Sequence, residues 1–128
     1  MREIKFRGKS KESGEWVYGD IRVICADNGE ITINYPHKHS TSGLHMTMSV
    51  PVDPDTVGQY SGQRDKNKVE IYEGDIVRST MREYHVIFEQ SAFMLKSGGR
   101  RLPFPLDNGS YYCIVGNIYD TPELRQKC

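Results

Sequence analysis

The stretch Gly58–Val77, "GQYSGQRDKNKVEIYEGDIV", sets two glycine-containing turns, a run of alternating charge and an apolar strand pattern side by side. Gly58, Gly62 and Gly74 supply backbone conformations that other residues resist, and Asp65 and Asn67 are residue types that cap a turn through their own side chains. Gly74-Asp75 then turns the chain and sends Ile76 and Val77 into a core. That is the entry to a strand of a small β-barrel, so the segment reads first as scaffold, with a charged tip available for recognition.

Toward the C-terminus the same grammar continues. "YHVIFEQSAFMLKS" gives two apolar runs that pair across a tight bend near Gln90-Ser91, "GGRRLPFPLDNGS" reads as a loop with two prolines, and "YYCIVGNIY" as a last strand. In "TPELRQK", Thr121 is an N-cap and Pro122 a first helical residue, which predicts one short C-terminal helix. Toward the N-terminus, Ile4 and Phe6 alternate with Glu3, Lys5 and Arg7, the period of a half-buried strand. "EWVYGDIRVIC" is rich in aromatic and β-branched residues and pairs with it, while Asn28-Gly29 turns the chain into "ITINY". "PHKHSTSGLH", Pro36 to His45, lacks periodicity and reads as an exposed loop. In "MTMSVPV", Met46, Met48, Val50 and Val52 share one face, and Pro51 places that strand at an edge or an end. "DTVGQYSG" reads as short and turn-like. The expected fold is all-β: an N-terminal antiparallel meander over residues 1–55, then a small SH3-like, partly open barrel over 56–128, within one domain.

The chain of 128 residues is long enough to bury a core without staples. Seventeen basic and seventeen acidic residues cancel, which removes the global pull of a non-specific nucleic-acid or membrane binder and leaves little repulsion between copies. The opening "MREIKFRGKS" has no continuous apolar run, so neither a signal peptide nor a membrane anchor is expected and a cytoplasmic protein is. Cys25, Cys113 and Cys128 form an odd set without short spacing, as reduced thiols do, and Cys25 and Cys113 sit in apolar runs as small buried hydrophobes.

Three segments resemble the YopX-type family of small phage and prophage proteins: "REIKFRGKSKESGEWVYGDI" at the start, "TVGQYSGQRDKNKVEIYEGDIV" in the middle and "IVGNIYDTPEL" at the end. The resemblance implies an all-β fold, a mobile-element origin and no assigned activity, and it transfers no catalytic residue. Two positions depart from the family pattern: Gln63 replaces an apolar residue, and Lys68 replaces a glycine in the turn Asp65 to Lys68.

Sites of chemistry are sparse. A zinc set would have to draw on His37 and His39, two apart on an extended segment, with His45 and Cys25, but no C-x-x-C or H-x-x-x-H spacing supports it. His85, in the strand "YHVIF", is expected to face solvent opposite Val86. Asp53, Asp55, Glu70, Glu73 and Asp75 are carboxylates near turns from which a hydrolase could be built, yet solvated carboxylates sit at turns in any case. There is no G-x-S-x-G, P-loop or G-x-G-x-x-G motif. No catalytic, metal or cofactor site is therefore expected. Lys5, Arg7 and Lys9 make a cationic stripe, with Arg2, Arg22, Arg100 and Arg101 as further cations and Trp16 or Tyr18 as stacking partners, the best case for nucleic acid. Arg64, Asp65, Lys66 and Glu70 make a charged tip that could read a partner by complementarity.

Tyrosine outnumbers the other aromatics, eight against four phenylalanines and one tryptophan, and is a residue of interfaces. Tyr60, Tyr72 and Tyr119 could equally cover a small core. With zero net charge and open strand edges, the leading expectation is a non-enzymatic homo-oligomer that binds a host or phage macromolecule. A nucleic-acid-binding barrel using Lys5, Arg7 and Lys9 is the alternative, and a hydrolase using the turn carboxylates the weaker one.

Overall fold

The computed structural model describes residues 3–25, 30–38, 45–80, 82–98, 100–106 and 108–120. The fold is all-β, with every strand pair antiparallel. Two compact units divide the chain: Glu3–Gln59, and the residues from Tyr60 onward.

The first unit is a meander of β1 (Phe6–Lys9), β2 (Trp16–Cys25), β3 (Glu30–Lys38) and β4 (His45–Val52), in the order β4-β3-β2-β1. The sheet curls until its first and fourth strands meet. Ser10 lies opposite Val52, the Lys11 N–H donates to the Pro51 carbonyl at 3.0 Å, and the Asp53 N–H donates to the Lys9 carbonyl at 2.8 Å. Ile33 and Val52 are wholly buried on the inner face. Gly8 permits the curl, because a Cβ there would stand 3.0 Å from the Val52 side chain, and a Cβ at Gly19 would collide with the Asn34 carbonyl oxygen. After β4, Asp53 caps a 3₁₀ turn, Pro54–Thr56, by accepting the Asp55 N–H at 3.1 Å. The Thr56 hydroxyl donates to the Asp53 carbonyl and accepts the Lys9 N–H, tying the turn to β1. Gly58 and Gln59 then open β5 (Gly58–Arg64) beside Arg7 and Phe6.

In the second unit the rest of β5 pairs with β6 (Glu70–Tyr72), Tyr60 opposite Tyr72 and Arg64 opposite Glu70. A register shift separates these pairs, and Gly62 lies within it at φ 84°. β7 (Asp75–Ser79), β8 (Arg82–Glu89), β9 (Ala92–Ser97), β10 (Arg100–Pro105) and β11 (Cys113–Asn117) form a sheet in the order β10-β9-β8-β7-β11. Among the described strands this sheet does not close on itself, as in a partly open barrel. Its core is Ile71, Val77, Val86, Phe93, Leu95 and Leu106, with Tyr84, Leu102, Tyr112 and Ile114 packed against it. Burial of each such aliphatic side chain contributes roughly 1.5–3 kcal/mol. The β6–β7 connection turns on Gly74, at φ 95°, whose N–H donates to the Val86 carbonyl and whose carbonyl accepts the Ile118 N–H.

Several segments differ from the expectation. Gly58–Arg64 is a bulged strand rather than a turn, and Arg100–Pro105 is a strand rather than a loop. At the edge of its sheet β10 has one side without ladder partners, where prolines cost least, and its register is irregular between Arg101 and Pro105. Pro36, His37 and Lys38 extend β3, and His45 opens β4. Pro36 is tolerated because the ladder between β2 and β3 ends at Asp20 opposite Asn34, two residues short of it. Ile4 is 66% exposed and precedes the first strand instead of lining it. The bend at Gln90-Ser91 is a two-residue turn with both residues at positive φ. The Asn28-Gly29 turn and the C-terminal helix expected from Thr121 lie outside the described residues.

Candidate functional site

The charged tip between β5 and β6 is organised by Asp65, which is only 4% exposed. Its Oδ1 accepts the backbone N–H groups of Asn67 at 2.8 Å and Val69 at 2.9 Å, and its Oδ2 accepts that of Ile114 at 3.1 Å. A carboxylate holding several amides in this way stabilises a turn more strongly than a neutral acceptor does. Lys68, in the family's glycine position, has φ 67°, so the turn keeps a left-handed residue despite the side chain. Gln63, the other departure, accepts the Gly109 N–H through Oε1 at 3.2 Å and fastens the tip to the 3₁₀ turn Gly109–Tyr111.

The tip therefore presents a different surface from the alternating one expected. Arg64, Lys66 and Lys68 are exposed, whereas Asp65 is withdrawn into the fold. Glu70 is half-buried and its Oε1 accepts the Tyr72 hydroxyl at 3.0 Å.

Of the cationic stripe, Arg7 is 5% exposed, with its guanidinium 4.5 Å from the centre of the Trp16 ring. The Lys9 ammonium lies 5.5 Å from the same ring, and Lys5 pairs with Glu3 at 3.6 Å. The register explains the cluster: Lys9 lies opposite Trp16 and Arg7 opposite Tyr18, so all four side chains share a face. The sequence brought these residues together correctly, but it set Arg7 on a wet face and the structure buries it. Alternation identifies a face without saying whether that face is covered.

Two of the turn carboxylates, Asp53 and Asp75, accept backbone amides. Asp75 is 2% exposed, and its Oδ2 accepts the Tyr72 N–H across the Gly74 turn at 2.7 Å. Asp53 caps its 3₁₀ turn in the first unit, Asp55 is exposed within that turn, and Glu73 is half-buried. His85 is half-buried rather than solvent-facing, and burial together with Lys96, directly opposite, holds its imidazole below the usual 6.5. Among the described residues, no group of three or more His, Cys, Asp or Glu side chains is placed to hold a metal ion. His39 lies outside the described residues, as do the side chains of Cys25, His37 and His45. Cys113 is buried and unbridged, as its apolar setting predicted. No helix among the described residues is long and apolar enough to cross a membrane.

Exposed apolar side chains in the meander include Tyr18, Val23, Met46 and Met48. Val23, Met46 and Met48 share the face of Ile33 and Val52 by register, which makes them continuations of the inner face beyond what the curl covers. An open groove of about 450 Å³ is lined by Val17, Tyr35 and Val50 together with Glu12, Glu15 and Trp16. Tyr60 and Tyr72, by contrast, are buried with ring centres 5.5 Å apart, so these two serve the core and not an interface. Sequence reading found the Met46 and Met48 strand but not its exposure, because one strand's alternation does not reveal how far its neighbours extend.

Among solved structures, the fold is similar to the crystal structure of protein EF1440 from Enterococcus faecalis, with a TM-score of 0.58 and 21% sequence identity, over 98% of this chain and 100% of that one. Comparison with curated proteins finds no match. The family model described as YopX protein matches residues 5–126, nearly the whole sequence, and the chain belongs to the YopX family.

Proposed function

We propose that this protein acts by binding rather than by chemistry: a non-enzymatic, self-associating module of phage or prophage origin that engages a host or phage macromolecule in the cytoplasm. The observation that supports this reading is the division of labour among its side chains. Asp65 of the charged tip and Asp75 of the turn carboxylates accept backbone amides inside the fold, while Met46 and Met48 stand exposed on the meander.

The test is a tagged pull-down from lysate of phage-carrying cells, divided into nuclease-treated and untreated halves, alongside light scattering of the pure protein. Retention of a defined protein in both halves, from a bait that is not monomeric, supports the reading. A strict monomer at tens of micromolar that retains nothing overturns it. Retention lost with nuclease would instead favour nucleic acid at the Lys5, Arg7 and Lys9 face, and mixed substitution there should then flatten the salt dependence of binding.

A further inference from the structure

We propose that two copies of this chain join along the outer edge of β4, antiparallel about a two-fold axis at Thr47, so that their meanders continue as one sheet. The proposal rests on the self-association read above and names the surface responsible. β4 is the last strand in its sheet's order, and among the described residues the chain meets its outer edge where Ser10, just after β1, lies opposite Val52.

The direction of its backbone groups follows from that contact. On the side away from β3, the Pro51 carbonyl accepts the Lys11 N–H and the Asp53 N–H donates to Lys9. Backbone groups alternate sides along a strand, so those of Ser49, Thr47 and His45 also point outward, while those of Met46, Met48 and Val50 point to β3. Pro51 thus lacks its N–H only where β1 already covers the edge. Thr47 can exchange both backbone hydrogen bonds with Thr47 of a second copy, and His45 with Ser49.

In that register Met46 of one copy lies opposite Met48 of the other, on the face that continues from Ile33 and Val52. Two side chains 47% and 37% exposed would gain apolar neighbours. From His45 to Val52 the strand carries no Asp, Glu, Lys or Arg, so pairing sets no like charges opposite one another. Other edges are defended in the usual ways. β10 carries Arg100, Arg101 and two prolines with an irregular register, β11 has a register shift between Ile114 and Gly116, and β6 is short. Among these strands β4 is long and regular, and its proline, Pro51, lies at the end that Ser10 and Lys11 already cover.

The test compares the full chain with Thr47→Pro, which removes an outward N–H and leaves the ladder to β3 intact, and with Met48→Lys, which sets a charge at an already exposed position. Sedimentation from micromolar to hundreds of micromolar gives the assembly state, and hydrogen exchange at Thr47 and Ser49 reports the edge. The proposal expects a dimer whose Thr47 and Ser49 amides gain protection with concentration, and association weakened about tenfold or more by either variant with circular dichroism unchanged. A dimer that both variants leave intact overturns the β4 edge but not self-association. A monomer at every concentration overturns both, and protection of these amides only by a different protein overturns the second copy as occupant.

Discussion

In the meander, the described hydrophobic side chains that are buried are Ile33 and Val52, and Met46, Met48 and Val23 extend the same face into solvent. From Tyr60 onward a core of several strands is joined by buried carboxylates, Asp65 and Asp75, each holding backbone amides at a turn. The two units are built from similar lengths of antiparallel strand, yet one is held by a curl with a thin core and the other by a fuller core with polar anchors. The difference shows where folding is anchored: the exposed face of the meander contributes little to it, and the buried carboxylates of the second unit contribute much.

Substitutions sharpen that contrast. Asp65→Asn should have the largest effect, about 3 kcal/mol of lost stability, because the amide sets a donor against one of the N–H groups the carboxylate now accepts. Urea unfolding measures it, and a loss below about 1 kcal/mol would remove the anchor from the account. Gly74→Ala should cost about 2 kcal/mol, from left-handed backbone strain and from a Cβ placed 2.8 Å from the Tyr119 ring. Lys68→Gly runs the other way. Relief of φ 67° strain, roughly 1–2 kcal/mol, exceeds the added freedom of the unfolded chain, so a gain of about 0.5–1 kcal/mol is expected as a raised denaturation midpoint.

His85 adds a smaller, pH-dependent contribution. Its folded pKa lies below the unfolded 6.5, so the unfolded chain takes up the proton more readily and stability falls as pH drops below 6.5 toward the folded value. Unfolding of His85→Gln should be flatter with pH in that window, and an unchanged profile would assign the dependence elsewhere. Met48→Ala should change the stability of the separate monomer by less than about 0.5 kcal/mol. A larger loss would mean that the meander's exposed face is part of its core after all.

Much of this was legible from the sequence, and the exceptions have physical causes. Period-2 alternation placed the meander strands, and the Gly74 turn, the Gln90-Ser91 bend and the run of core residues through β7 to β9 stand where the turn and apolar signals put them. β5 and β10 were missed because glycine, polar residues and proline carry little strand preference of their own, and their neighbours impose the pairing. The withdrawal of Asp65 could not be read locally, since the amide that completes its set belongs to Ile114, 49 residues further along. Arg7 was placed beside Trp16 and Tyr18, but its burial depended on what covers that face.

The distance from Asp65 to Ile114 also governs when the barrel can form. Gln63 waits for Gly109, the Lys66 N–H for the Tyr112 carbonyl, and the Gly74 carbonyl for Ile118. A ribosome must release the chain through Ile114 before the tip at residues 63–68 can settle, whereas the strands of the meander are all made by Val52. Such distant closures make folding slow relative to a protein of local contacts. A chain halted before Gly109 would hold every strand of the meander but lack the partners of Gln63, Lys66 and the Gly74 carbonyl, so the exposed face of the meander would be made before the barrel could close.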